Sequence, residues 1–141
     1  MKQVTPEEAA KLLEQGYVYV DVRSEQEFEQ GHPRGAFNVP INLVTPGGTL
    51  PNTEFVAVME RAFGKDARLV VGCKAGPRSK RAVAQLEQAG FTDLAEMSAG
   101  WSGSRDAFGR PTPGWSSAGL PTDSGAPSGH GYTDVKQRSA G

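Results

Sequence analysis

The stretch Arg68-Leu-Val-Val-Gly-Cys-Lys-Ala-Gly-Pro-Arg-Ser79 decides the fold. Arg68–Gly72 is a short, apolar, β-branched run, which reads as a strand buried on both faces. From Ser79 to Ala89 the apolar positions Ala82, Val83 and Leu86 recur at helical spacing, and Gly90 stops the pattern. A buried strand that leads at once into a helix is half of a strand–helix–strand unit. A further strand at Leu94–Met97 completes it. Such crossovers build a parallel sheet with helices on both faces.

The same alternation runs upstream. Thr5-Pro-Glu-Glu8 is a capping box with Pro at the first helical position. Ala9, Leu12 and Leu13 follow on one face, and Gly16 ends the helix. Tyr17-Val-Tyr-Val-Asp-Val22 is a second buried strand. Ser24-Glu-Gln-Glu27 is a second capping box, opening a short helix that Gly31 closes. His32–Pro40 reads as loop with a short strand at Ala36–Asn38. Thr45–Pro51 reads as a turn-rich connection, and Asn52 as the cap of a helix carrying Phe55, Val56, Met59 and Phe63 up to Gly64.

The length of 141 residues fits one domain. Composition shifts near Trp101: residues 100–141 hold nine of the 18 Gly, four of the 10 Pro and seven Ser. Residues 101–121 are expected to be ordered but irregular, pinned to the body by Trp101, Phe108, Trp115 and Leu120. Residues 122–141 bury too little apolar surface to offset their ordering entropy and are expected to form a flexible tail. The domain is therefore 1–121.

Charge narrows the function. Fifteen Lys+Arg face 16 Asp+Glu, so there is no basic surplus for a phosphate backbone or an anionic membrane surface. A single Cys excludes an intrachain disulfide framework and a Cys-based zinc site, and His32 and His130 lie far apart in sequence. No apolar run reaches the ~20 residues of a membrane span, and the N-terminus lacks the apolar core of a signal peptide. The expectation is a soluble cytoplasmic protein with small-molecule substrates and no nucleic-acid or membrane partner. Monomer is the default.

Chemistry concentrates at Cys73. The cysteine sits between a strand end and a helix N-terminus, where ligands bind in open α/β sheets. The helix presents unpaired N–H groups and the positive end of its dipole. Gly76 permits a backbone turn that points successive N–H groups inward, and Lys74 and Arg78 add positive charge. Each of these favours thiolate over thiol at Cys73. Asp21, Arg23, Glu27 and His32 read as structural. Asp21 is expected to be satisfied by nearby N–H groups or a cation, Arg23 and Glu27 to pair across the turn into the short helix, and His32 to bond locally.

The loop Cys73-x-x-Gly76-x-Arg78-Ser79 resembles the active-site loop of the rhodaneses. Asp21-Val-Arg23, Glu27-Phe28 and Gly31-His32-x-x-Gly35-Ala36-x-Asn38-x-Pro40 resemble the upstream motif of that family. Ala89-Gly-Phe91 followed by Ala99-Gly100-Trp101 is similar to its ending. The resemblance covers about residues 3–121 and is nearest to the small single-domain type, including the plant senescence-associated ones. It implies a three-layer sandwich with a mainly parallel central sheet, helices on both faces and, here, an irregular Gly/Pro/Ser-rich C-terminal segment.

The resemblance also implies an activity. A Cys73 thiolate would take sulfane sulfur from thiosulfate or another donor and release sulfite. The persulfide would then pass its sulfur to cyanide, another small thiophile or a protein thiol. The amides of Lys74, Ala75, Gly76, Arg78 and Ser79 would hold the anionic sulfur. Arg78 would steady the loop and attract the donor, and Lys74 would face its sulfonate. No metal or organic cofactor is implied.

The sequence departs from the family's pattern at Ser102–Gly114, which reads as an insertion, and at Pro77, which removes one loop donor. Two alternatives use the same architecture. Cysteine phosphatases and arsenate reductases carry five residues between Cys and Arg, against four here. A non-catalytic binding or regulatory module is the other.

Overall fold

Five parallel strands form the central sheet, in the order β1 (Lys2–Gln3), β8 (Asp93–Met97), β7 (Arg68–Gly72), β2 (Val18–Asp21), β4 (Phe37–Asn38). The computed structural model describes residues 1–139. The helices are α1 (Pro6–Glu14), α2 (Glu25–Gln30), α3 (Phe55–Phe63), α4 (Pro77–Gln88) and α5 (Tyr132–Val135). Among the described residues six short strands lie outside the sheet: β3 (His32–Pro33) pairs with β11 (Thr122–Asp123), β5 (Asn42–Thr45) with β6 (Gly48–Pro51), and β9 (Ser104–Arg105) with β10 (Pro111–Thr112). A 3₁₀ turn spans Trp115–Ser117.

Both faces of the sheet are buried, as the apolar runs predict. Val20, Leu69, Val71 and Leu94 face the layer of α3, α4 and α5, meeting Phe55, Met59, Val83 and Leu86. Tyr19, Val70, Ala95 and Met97 face the layer of α1 and α2, meeting Ala9, Phe28 and Trp115. This is the expected three-layer α/β sandwich. Among the described residues no helix is long and apolar enough to cross a membrane.

Both capping boxes form. The Thr5 hydroxyl accepts the Glu8 N–H at 3.1 Å while the Glu8 carboxylate accepts the Thr5 N–H at 2.9 Å, and Ser24 and Glu27 repeat the exchange. Asn52 is not the cap itself, which falls at Glu54; it lies three residues ahead of α3, its side chain accepting the Glu54 N–H and its carbonyl the Phe55 N–H. The Thr45–Pro51 connection is not a plain loop but part of a hairpin. The Thr45 hydroxyl donates to the Gly48 carbonyl across a Pro46-Gly47 turn, so the turn residues read from the sequence connect two strands.

The C-terminal expectation is corrected. Residues 122–139 pack on the body instead of leaving it: β11 pairs with β3, and Tyr132 and Val135 are buried in the larger core cluster. The Tyr132 hydroxyl accepts from Asn52 Nδ2 at 2.9 Å, and Asn38 N–H donates to the His130 carbonyl. Low overall apolar content hid two well-placed side chains whose burial offsets the ordering of a short segment. Positions 140–141 of the expected tail lie outside the described residues. Within 101–121, Trp115 is buried, and Trp101 and Leu120 pack on the second core cluster as expected, but Phe108 is 82% exposed at a hairpin tip and pins nothing.

Candidate active site

Cys73 follows β7, the middle strand, and so lies at the centre of the sheet's C-terminal edge, with Asp21 and Met97 registered beside Gly72. The turn between β7 and α4 has only four residues, Cys73–Gly76. Gly76 has φ +109°, a left-handed conformation that glycine supplies without strain. A methyl group there would lie 2.9 Å from the Ser98 carbonyl oxygen. This turn directs the Gly76 N–H onto Cys73 Sγ at 3.0 Å.

The helix begins two residues earlier than the periodicity predicts, with Pro77 at its first position. That places Arg78 and Ser79 in the first turn, where backbone N–H groups have no intrahelical acceptor. Among the described residues the amides of Lys74, Ala75, Arg78 and Ser79 donate to no carbonyl outside the helix. The donors expected around the sulfur are thus unspent. The sulfur itself is not open: Cys73 is 1% exposed. The thiol lies 3.5 Å from the Ser79 hydroxyl oxygen.

The loop is held from two sides. From behind, Trp101 N–H donates to the Cys73 carbonyl at 2.7 Å and Ser102 N–H to the Lys74 carbonyl at 3.0 Å. Gly100, at φ +70°, lets this segment approach. A side chain there would strike the carbonyls of Cys73 and Lys74. From the side, Arg78 forms a two-pronged ion pair with Glu27 of α2, at 2.7 and 3.0 Å. The Arg78 guanidinium, with help from the Ser24 N–H, holds the Glu27 carboxyl at about 2 against an ordinary 4.5.

The expected Arg23–Glu27 pair is therefore corrected. Arg23 instead pairs with Asp21 at 2.7 Å and donates to the Gly31 carbonyl. Both ends of that pair are buried, so the two charges satisfy one another. His32 bonds locally, its Nδ1 2.7 Å from the Phe28 carbonyl oxygen and its ring stacked on Phe28.

Lys74 and Ala75 are exposed, Gly76 and Ser79 are buried, and Arg78 lies between. Beside the loop is a cleft of about 230 Å³ lined by Arg23, Glu27, Gln30, Lys74, Trp101 and Ser102. Of its three cationic and acidic neighbours, Arg23 is taken by Asp21 and Glu27 by Arg78, and Lys74 has no ion pair among the described residues. Two features escape local reading. The Gly100–Ser102 latch is a backbone contact with no sequence signature. Glu96 is a wholly buried carboxylate in β8, and its only signal is a charge inside an apolar run, Leu94-Ala-Glu-Met97.

A cysteine that accepts a backbone N–H at the C-terminal edge of a parallel sheet, in the turn before a helix, defines a cysteine-loop α/β protein. A family model, the rhodanese-like domain, matches residues 5–107. The chain is 37% identical over 114 residues to "Thiosulfate sulfurtransferase 16, chloroplastic" of Arabidopsis thaliana, covering 81% of this chain and 86% of that one. It is 29% identical over 122 residues to "Thiosulfate sulfurtransferase GlpE" of Haemophilus influenzae, covering 86% and 94%. The crystal structure of Rv0390 from M. tuberculosis superposes with a TM-score of 0.70 at 29% identity, covering 89% of this chain and 98% of that one. Several other plant relatives are longer, and the chain spans 51% to 62% of their length. The chain belongs to the rhodanese-like family.

Proposed function

We propose that the chain is a sulfurtransferase that carries sulfane sulfur as a persulfide on Cys73, with thiosulfate as a donor and cyanide or another thiophile, a protein thiol included, as acceptor. The observation that supports it is the Gly76 N–H donated to Cys73 Sγ at 3.0 Å within a turn whose other amides are unspent. Such donors favour negative charge on sulfur, both in the thiolate and in the persulfide.

The thiolate attacks the outer sulfur of thiosulfate. A new S–S bond forms to Cys73, the S–S bond of thiosulfate breaks, and its electron pair leaves with sulfite. The acceptor then attacks the terminal sulfur, the enzyme's S–S bond breaks, and the Cys73 thiolate returns. Lys74, exposed at the cleft, faces the donor's sulfonate. Arg78 holds the loop rather than attracting the donor, because Glu27 already balances its charge.

The test is thiocyanate formation from thiosulfate and cyanide, with mass spectrometry of the protein after thiosulfate alone. Expected are thiocyanate, one added sulfur on Cys73, and loss of both in Cys73→Ser. Persulfide without thiocyanate narrows the acceptor to another thiol. An unmodified Cys73 with no thiocyanate overturns the reading in favour of a binding module, and hydrolysis of an aryl phosphate in its place overturns it in favour of a phosphatase.

A further inference from the structure

Glu96 takes no part in the chemistry above, yet it is bonded to it. It sits in β8 opposite Val71 of β7, its residue 0% exposed, and no cation pairs with it among the described residues. Each carboxylate oxygen holds one short hydrogen bond: Gln3 Nε2 reaches Oε1 at 2.6 Å, and the Ser79 hydroxyl reaches Oε2 at 2.6 Å. Ser79 Oγ is also 2.9 Å from the Gly76 carbonyl oxygen and 3.5 Å from Cys73 Sγ. A carboxylate buried this deeply without a cation is costly unless its charge is shared or neutralised.

Proton counting sharpens the point. A hydroxyl has one hydrogen, so Ser79 cannot donate to Glu96 and to the Gly76 carbonyl at once. Two arrangements satisfy the cluster. In the first, the Cys73 thiol donates to Ser79 and Ser79 donates to an ionised Glu96. In the second, a protonated Glu96 donates to Ser79, Ser79 donates to the Gly76 carbonyl, and the Gly76 N–H donates to a Cys73 thiolate. The same heavy-atom positions serve both.

We propose that Glu96 and Cys73 share one proton through Ser79, so that Glu96 is a positioning residue for the proton of the reactive sulfur. Passing between the two arrangements breaks the S–H bond as Ser79 Oγ gains that proton, and breaks the old Oγ–H bond as Glu96 Oε2 gains the other. The negative charge moves from carboxylate to sulfur, and no proton leaves the interior. The device suits a thiol with almost no solvent contact, which lacks water to take its proton. Its use in catalysis rests on the sulfurtransferase reading, but the proton sharing itself does not.

The other ionisable groups around the cluster are accounted for. On β2, Tyr19 is raised well above its ordinary range by burial and by the Asp21 charge, so it stays neutral. Asp21 is paired with Arg23, and Arg78 of α4 with Glu27. Lys74 on the loop is exposed.

Because Cys73 is the only cysteine, the ultraviolet absorbance of thiolate reports on it alone once the Cys73→Ser protein is subtracted. The full chain is titrated without substrate. The expected curve gains thiolate in two steps with a plateau between them, because two groups that share a proton titrate as a pair. Glu96→Gln preserves shape but takes no proton, and one of the two steps is expected to vanish. Ser79→Ala cuts the link and is expected to lose the same step, while Ser79→Thr keeps a hydroxyl and is expected to restore it. If Glu96→Gln does not fold, the Ser79 pair decides. A single step in the intact protein overturns the proposal, and so does a two-step curve that survives these substitutions. The readout involves no sulfur donor, so it separates from a failure of the sulfurtransferase reading.

Discussion

Lys74, on the loop, and Glu27, beside it on α2, line the same cleft and have opposite electrostatic duties. Lys74 is exposed and without an ion pair among the described residues, so in the proposed reaction it is the cation expected to meet an anionic donor. Lys74→Ala is expected to raise KM for thiosulfate by about fivefold, roughly 1 kcal/mol, with kcat little changed, because a ground-state contact is lost. Steady-state kinetics check this. Glu27 is spent on Arg78, and its carboxyl is held at about 2 chiefly by that side-chain hydrogen bond. A depressed carboxyl stabilises the fold fully above its ordinary value of 4.5 and loses that contribution as pH falls toward 2. The pair is a quarter to a third exposed, so solvent screening reduces its worth to about 1–2 kcal/mol. Denaturant unfolding from pH 7 to pH 2 is expected to show Glu27→Gln less stable at neutral pH and the gap to the intact protein closing between about pH 5 and pH 2.

At the scale of elements, the site is a junction of three: β7 delivers the cysteine, α4 its N-terminal amides, and the segment after β8 the latch at Trp101 and Ser102. Gly100 is where the latch touches the loop. Gly100→Ala places a side chain in a left-handed conformation, about 1–2 kcal/mol for a non-glycine residue, and against the carbonyls of Cys73 and Lys74. The sheet lies away from this contact, so far-ultraviolet circular dichroism is expected to be unchanged while kcat/KM for sulfur transfer falls by about tenfold to a hundredfold, as displaced loop donors miss the sulfur. Unaltered transfer by this variant would show that the latch does not position the loop. Helices α1 to α4 were legible: capping boxes, periodic apolar residues and terminal glycines all act within a few positions in the chain. The start of α4 was not, because Pro77 and Arg78 suit either a loop or a first helical turn, and the Glu27 contact across α2 selects the turn.

At the scale of the molecule, the C-terminal segment closes the fold over the layer of α3 and α4. Tyr132 fills the core and bonds Asn52, which also donates to the Pro40 carbonyl and accepts from the N–H of Glu54, just ahead of α3. Tyr132→Ala is expected to cost about 3 kcal/mol, read as a lower denaturant midpoint with unchanged slope. A disordered tail would give no change. The segment was opaque to composition because twenty Gly-, Ser- and polar-rich residues average to disorder, while two side chains and one strand pairing decide the outcome.

By itself the amino-acid order determined what depends on neighbours in the chain: two buried strands, two capped helices, the strand–turn–helix around Cys73, and the glycine that turns an amide toward its sulfur. Tertiary structure alone decided which distant groups meet. It brought Glu27 to Arg78, the 101–102 backbone to the cysteine loop, Tyr132 to Asn52, and a buried Glu96 to Ser79. It also sealed the sulfur away from solvent. The reason is physical. Turns, caps and periodicity are set by forces that act over one or two turns of chain, whereas ion pairs, burial and shared protons depend on separations in space that only the packed sheet and its layers establish.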